Sequence, residues 1–297
     1  MNNLYYKPSG KFNPISFLYL ALAIGIAAPL LAFIYTYAIL YIPFVYLNFL
    51  CIAGIAFGLG FVANFVIGLG KVRNKILAIV FGLIVGLAGI YASWIVWVAY
   101  HVNSSAFVEL TFLDILKNPN ALWSMIWEIN EVGTWTIGRS GGSVSGMFLT
   151  VVWVIEALAM IAFPVFFAYT KACEPYIEND DNWAEQTAIG PFEYIPNAGI
   201  LEKQLEAKNN EELMAMLPAE NAGQGSHSVL TVYHGKNRSQ SKEFYLSVKN
   251  MQHKLDKEGK SDFTERELIS FIHISKDTGQ QLFAKIAADA AVTEIKD

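Results

Sequence analysis

The sequence predicts a membrane all-α bundle of four transmembrane helices plus a small C-terminal cytoplasmic α+β domain. The distribution of charge is the first reason, since residues 1–170 contain 12 charged residues and residues 171–297 contain 35. The second is the run 12–70, which has 59 consecutive residues without Asp, Glu, Lys, Arg or His. About 20 apolar residues suffice for one span. This composition excludes a simple soluble enzyme, a disulfide-stapled secreted fold and a basic nucleic-acid binder.

Breaks in the apolar sequence separate the four predicted spans. Pro43 divides the first run, because proline cannot donate to the helix ladder and clashes with the preceding turn. The basic run Lys71–Lys75 ends the second span. We therefore predict spans at residues 15–40, 44–69, 76–100 and 147–170, with a kink at Pro29. The first is too long for the core of a signal peptide, which is about 7–15 residues.

Residues 101–146 form the longest connection in this part of the chain. Within it, Asn118-Pro119 is typical of a helix start, since proline at the first helical position loses no hydrogen bond. The apolar residues that follow predict a helix at about 119–130, which is too short to cross a bilayer. We interpret it as a helix in the outer interface. A partner-binding aromatic surface is the alternative.

Basic residues in the flanks predict the orientation, because Lys and Arg are retained on the cytoplasmic side. An orientation with both termini inside places six flanking basic residues in the cytoplasm and leaves only Lys117 and Arg139 outside. Tryptophan prefers the membrane interface, and this orientation gathers most tryptophans near the outer face. The interfacial aromatic residues predicted there are Trp94, Trp97, Trp123, Trp127 and Trp135.

Two glycine pairs predict where helices approach closely. Gly54 and Gly58 lie four residues apart in the second span, and Gly82 and Gly86 lie four apart in the third. Small residues at this spacing let helix backbones come into contact. Because a short turn joins these two spans, we expect the pairs to pack as an intramolecular hairpin. Homodimerisation through one of these faces is the alternative.

Glu156 is the only formal charge inside a predicted span. It lies about 14 Å from the start of that span at 1.5 Å per residue, near the middle of the bilayer. An ionised carboxylate there is expensive, so such a residue indicates an ion or proton site unless it is a neutral structural group. Tyr91 and Ser93 lie at a similar depth in the third span and are the predicted partners.

A possible nucleophile occurs just before the fourth span. The run Gly138-Arg139-Ser140-Gly141-Gly142 resembles the serine motif of rhomboid intramembrane proteases, and His101 would lie on the same outer side. That family has six spans and carries its histidine on a later helix, so the resemblance covers the motif alone. A flexible entry to the fourth span explains the same residues. We therefore expect no catalytic residues, and the sequence shows no metal or cofactor motif.

We predict a transmembrane domain at 1–170, a linker at 171–198 and a cytoplasmic α+β domain at 199–297. Alternating residues predict strands at 229–234 and 244–248. Thr264 and Glu267 have the spacing of a capping box, which predicts a helix over the apolar residues that follow. Ser275 is the predicted cap of a last helix that carries Leu282 and Phe283.

Several segments of residues 40–160 are similar to a family of bacterial four-span inner-membrane proteins without an assigned activity. They are 41–49, 71–74, 130–135 and 144–146, together with Trp153 and Glu156. The resemblance implies a multi-pass protein of the bacterial cytoplasmic membrane and no particular chemistry.

Three functions from different classes remain open. The first, which we favour here, is a non-enzymatic membrane anchor or scaffold whose cytoplasmic domain binds or regulates a protein partner. The second is a small transporter or channel subunit that uses Glu156 as a proton or cation site, in a possible homo-oligomer. The third is a membrane hydrolase with Ser140 and His101. Besides the lipid bilayer and such a protein, we expect no other partner and no nucleic acid.

Overall fold

The computed structural model describes residues 4–42, 45–105, 110–136, 143–219, 225–255, 257 and 260–294. The chain forms two compact units. The helical unit is Ser9–Cys173, and the sheet unit combines Met1–Pro8 with Glu174–Asp297. A helical part and a separate domain of antiparallel strands are therefore both present, as the sequence predicted.

Four long apolar helical segments make up most of the helical unit, and each is long enough to cross a bilayer. The first consists of α1 and α2 with a π-helical turn between them. The bounds are Ser16–Leu22 for α1, Ala23–Ala27 for the π-helical turn, Ala28–Tyr41 for α2, Val45–Leu69 for α3, Lys75–Ser105 for α4 and Gly146–Cys173 for α7. These segments match the four predicted spans, and α4 continues five residues beyond its predicted end.

The π-helical turn lies directly before Pro29, where the sequence predicted a kink. Proline has no N–H, so Pro29 cannot donate to the carbonyl of Gly25, which lies four residues earlier. A turn with wider hydrogen-bond spacing accommodates a break of this kind in the ladder. The irregularity is therefore local, and the helix resumes as α2.

Two short helices and a small hairpin connect α4 to α7. The bounds are Phe112–Lys117 for α5, Pro119–Val132 for α6, Trp135–Thr136 for β1 and Ser143–Val144 for β2. Thr111 and Asp114 form a capping box at the start of α5. The helix predicted at 119–130 is thus present. It buries Leu122 against the bundle and exposes Trp123 and Trp127.

The backbones of α4 and α7 are in close contact. A Cβ atom added at Gly82 would lie 2.6 Å from the Pro164 carbonyl oxygen, and one added at Gly86 would lie 2.6 Å from the Met160 carbonyl oxygen. This differs from the expected hairpin of α3 with α4. Gly82 and Gly86 face α7, the last apolar helix, rather than α3. The helix α7 packs against both α3 and α4.

The other glycine pair makes weaker contacts. A Cβ added at Gly58 would meet only the Leu31 side chain at 3.3 Å, and one added at Gly54 would meet nothing within 4 Å. Gly54 is exposed on α3. Of the two pairs, only Gly82 and Gly86 bring two helix backbones together.

The sheet unit contains one antiparallel sheet of four strands in chain order. Helices pack on one face, and Leu230, Leu246 and Ile272 are fully buried between the layers. The bounds are Glu185–Glu193 for β5, Ala198–Glu206 for α8, Glu211–Ala215 for α9, His227–His234 for β6, Phe244–Leu255 for β7, Ser261–Ile274 for β8 and Lys276–Glu294 for α10. A two-stranded hairpin, Tyr176–Ile177 (β3) with Asn182–Trp183 (β4), precedes the sheet.

Three expectations for this unit need correction. Residues 171–198 are not a linker, because they contain the end of α7 and strands β3 to β5. The stretch after Thr264 is a strand, because pairing with β7 along most of β8 outweighs the local capping signal. The N-terminal residues also belong here, since the His273 N–H donates to the Leu4 carbonyl at 2.7 Å. The helix capped by Ser275 is present as predicted.

The contact between α4 and α7 yields a stability prediction. Gly82→Leu should lower the free energy of unfolding by roughly 1–3 kcal/mol, because the added side chain must push apart two helix backbones. Thermal unfolding of the purified protein in detergent measures the effect. Gly54→Leu is the matched control and should change stability by less than about 0.5 kcal/mol. Equal effects of the two substitutions would contradict the backbone contact.

Candidate functional site

Glu156 lies ten residues after the start of α7, about 15 Å along the helix axis. Gly146 begins this helix with a positive φ of 63°, a conformation that glycine adopts without steric cost. The Glu156 side chain is half-buried. It points to a space inside the helical unit rather than to the outer surface.

That space is a cavity of about 430 Å³. Residues of α2, α3, α4 and α7 line it, together with Thr134. On α4 the lining runs from Ile90 to His101, which spans about 16 Å along the axis. The cavity therefore reaches from the level of Glu156 to the end of the bundle where α4 finishes and α7 begins.

The nearest polar neighbour of Glu156 is Tyr35 on α2, whose hydroxyl interacts electrostatically with the carboxyl group. Tyr35 is only 6% exposed. Its oxygen has no partner within hydrogen-bond distance and geometry among the residues that the structure describes. The same holds for the Asn48 side-chain oxygen. Buried polar groups nearly always have a partner, so the Asn48 oxygen is available to a bound group, and the Tyr35 hydroxyl can be shared between Glu156 and such a group.

Other polar side chains of the cavity are held by the protein. The Thr36 hydroxyl donates to the Ser93 carbonyl at 3.4 Å, and the Ser93 hydroxyl donates to the Gly89 carbonyl at 2.8 Å. His101 Nδ1 donates to the Trp97 carbonyl at 2.9 Å. These bonds hold parts of the wall in place, and Glu156, Tyr35 and Asn48 take no part in them.

The groups available for binding are mainly oxygen acceptors, and three indole rings accompany them. Trp94, Trp97 and Trp153 line the cavity, and an indole face attracts a cation within about 6 Å. Among the described residues that line the cavity, there is no Lys or Arg. No cluster of three or more His, Cys, Asp or Glu that could hold a metal ion was found among the described residues. This chemistry suits an organic cation better than a metal ion or an anion.

The structure separates the two partners predicted for Glu156. Ser93 lines the cavity, but Tyr91 lies outside it and donates its hydroxyl to the Leu116 carbonyl at 2.9 Å. Two residues along a helix differ in direction by about 200°, so Tyr91 and Ser93 cannot face the same space. The missed partner is Tyr35. The sequence could have indicated Tyr35, because it lies in the first span, six residues and about 9 Å from the end of α2.

The predicted interfacial tryptophans fall into two sets. Trp94 and Trp97 are half-buried in the cavity wall, with ring centroids 5.4 Å apart. Trp123 and Trp127 are exposed on α6. The side chain of Trp135 lies outside the described part of the structure, and so does Ser140. The hydrolase hypothesis therefore keeps only His101 among the described residues.

The fold defines the class of protein: a helical unit with four apolar helices, each long enough to cross a membrane, and a separate sheet domain. Comparison with protein-family models, curated proteins and solved structures found no match to this chain. The resemblance of residues 40–160 to the four-span family stays a prediction.

Thiol labelling tests whether the cavity contains water. Val152 lines the cavity, whereas the neighbouring Val151 is half exposed on the outer surface of α7. In a background without Cys51 and Cys173, we expect Val152→Cys to react with a charged methanethiosulfonate reagent in membranes. Val151→Cys is the control and should react at least tenfold more slowly, because lipid excludes the charged reagent and disfavours the thiolate. Faster labelling at position 151 would rule out a hydrated cavity.

Proposed function

We propose that this protein is a multi-pass membrane protein whose helical unit binds a small organic cation through Glu156. The observation that carries the proposal is that this carboxyl group shares the cavity with two buried oxygen atoms, on Tyr35 and Asn48, for which the described residues offer no well-formed hydrogen bond. Ammonium groups donate hydrogen bonds to such oxygens and are attracted to indole faces.

The charge of Glu156 supports the same assignment. An uncompensated carboxylate inside an apolar bundle is strongly disfavoured. A bound cation would neutralise it, and water in a cavity of this size can solvate it between binding events. A proton is the simplest cation that Glu156 can take. If a proton and an organic cation compete for the same oxygen atoms, release of one is coupled to binding of the other.

The contact between Gly82, Gly86 and α7 bears on the mode of action. Met160 lines the deep end of the cavity, and its carbonyl is also the atom nearest to Gly86. The cavity therefore stops where α4 and α7 make backbone contact. Binding needs no movement of this contact, whereas transport across the bundle requires the two helices to separate there.

We also propose that both termini and the sheet unit lie in the cytoplasm, where this unit serves as an anchored interaction or regulatory domain. Residues 4–8 and the residues from Glu174 onward share one compact unit, and an even number of crossings is needed to bring them to one side. The basic flanks support the cytoplasmic side. In this proposal the sheet unit has the scaffold function, and the helical unit binds the cation.

Removal of the charge tests the cation site. We expect the full-length protein in nanodiscs to bind methylammonium, whose N–H groups can donate to the cavity oxygens, and Glu156→Gln to weaken binding at least tenfold because the attraction to the carboxylate is lost. Isothermal titration calorimetry measures the affinity. Glu128→Gln on α6 removes the same charge outside the cavity and should leave the affinity within twofold. Equal binding by wild type and Glu156→Gln would contradict the proposal.

Labelling of intact cells tests the orientation. Asn120 is exposed on α6 and Lys203 is exposed on α8. In the background without native cysteines, Asn120→Cys should react with a membrane-impermeant maleimide in intact cells, whereas Lys203→Cys should react only after permeabilisation. The reverse pattern would place the sheet unit outside.

A further inference from the structure

An apolar groove of about 660 Å³ lies beside the cavity, between α4, α6 and α7. Leu87, Leu122, Trp123, Ile126, Trp127 and Val154 form much of its surface. Its few polar side chains are already paired. The Tyr91 hydroxyl donates to the Leu116 carbonyl, and Asn130 Nδ2 donates to the Thr150 hydroxyl at 3.1 Å. The groove therefore offers apolar contact and little hydrogen bonding.

The groove and the cavity share part of their walls. Ile90, Trp94, Trp153 and Ala157 line both spaces. Trp94 and Trp153 meet edge to face with their ring centroids 4.8 Å apart. These shared residues contribute side chains from α4 and α7, so the separation depends on side-chain positions rather than on a layer of backbone. Side-chain rotation alone can join a space that binds a cation to one that binds hydrocarbon.

From these shared walls we infer that the ligand is an amphipathic amine, with its cationic head at Glu156 and its apolar tail in the groove. The inference rests on the proposed cation site and adds the class of ligand. The carboxylate of Glu156 attracts the cationic head, and the apolar groove accommodates the hydrocarbon tail. The two indoles at the junction suit both parts, because an indole face attracts a cation and its body packs against hydrocarbon.

The length of the tail should determine the affinity. Burying one methylene group favours binding by about fourfold in water-to-hydrocarbon transfer. Part of this gain is lost in a membrane, where a free ligand already inserts its tail into lipid. We therefore expect hexylammonium to bind at least tenfold more tightly than methylammonium, after correction for partition into empty nanodiscs.

The experiment measures the affinity of full-length protein in nanodiscs of a zwitterionic phospholipid for both ammonium compounds. Val154 lines the groove and does not line the cavity. Val154→Phe fills the groove, so it should abolish the gain from the hexyl tail while methylammonium binding stays within twofold. Val151→Phe enlarges a neighbouring exposed side chain outside both spaces and should keep the full gain. Trp123→Ala removes one wall of the groove and should reduce the gain severalfold.

Each outcome bears on one of the two proposals. A gain with the hexyl tail that Val154→Phe removes and Val151→Phe keeps supports the amphipathic ligand. If both compounds bind equally in wild type, or if the gain survives in Val154→Phe, the inference fails while the cation site stands. A phospholipid acyl chain that permanently fills the groove would give the first of these results. If Glu156→Gln binds both compounds as wild type does, the cation site itself fails.

Discussion

The contact of α4 with α7 at Gly82 and Gly86 determines the arrangement of the helical unit. Because neither glycine has a side chain, the two helices touch through backbone atoms of Pro164 and Met160, and van der Waals packing of this kind is a main source of helix association in lipid. The contact fixes the rotation of α7 about its axis. Glu156 lies four residues before Met160, about one turn away, so its direction follows from this packing.

The same contact explains why a cavity forms in one half of the unit. Small residues join α4 to α7 on one side of Met160, whereas Trp94 and Trp153 meet edge to face between these helices on the other and line the cavity with Trp97. Bulky indoles cannot pack as closely as glycines, and the space left between them contains Glu156. The cost of a buried carboxyl group is thereby reduced, since it faces a polar-lined space rather than lipid.

The sequence correctly predicted which segments form apolar helices. It did not predict which face of each helix is turned inward. The four apolar helices follow from hydropathy, and α6 follows from Asn118-Pro119, because these signals are local. The relation of Glu156 to Tyr35 depends on which face of each helix is turned inward. Spans that are apolar on all sides give little information about that, so depth alone pointed to Tyr91. In the sheet unit, the residues after Thr264 form a strand despite the capping signal, because they pair with β7. Local sequence does not reveal this pairing.

Trp94 and Trp153 lie between the cavity and the groove, so the proposed ligand could enter from either side. The groove is lined on one side by α6, whose exposed Trp123 and Trp127 favour the membrane interface. An amphipathic amine concentrates at that same interface, with its charge among the headgroups and its tail in the hydrocarbon. Entry past the indoles would let its tail stay in apolar surroundings throughout, whereas entry along the polar cavity would first transfer the tail into water. For the ligand inferred above, the lateral route would therefore have the lower barrier for long tails, and the cavity route would serve small cations.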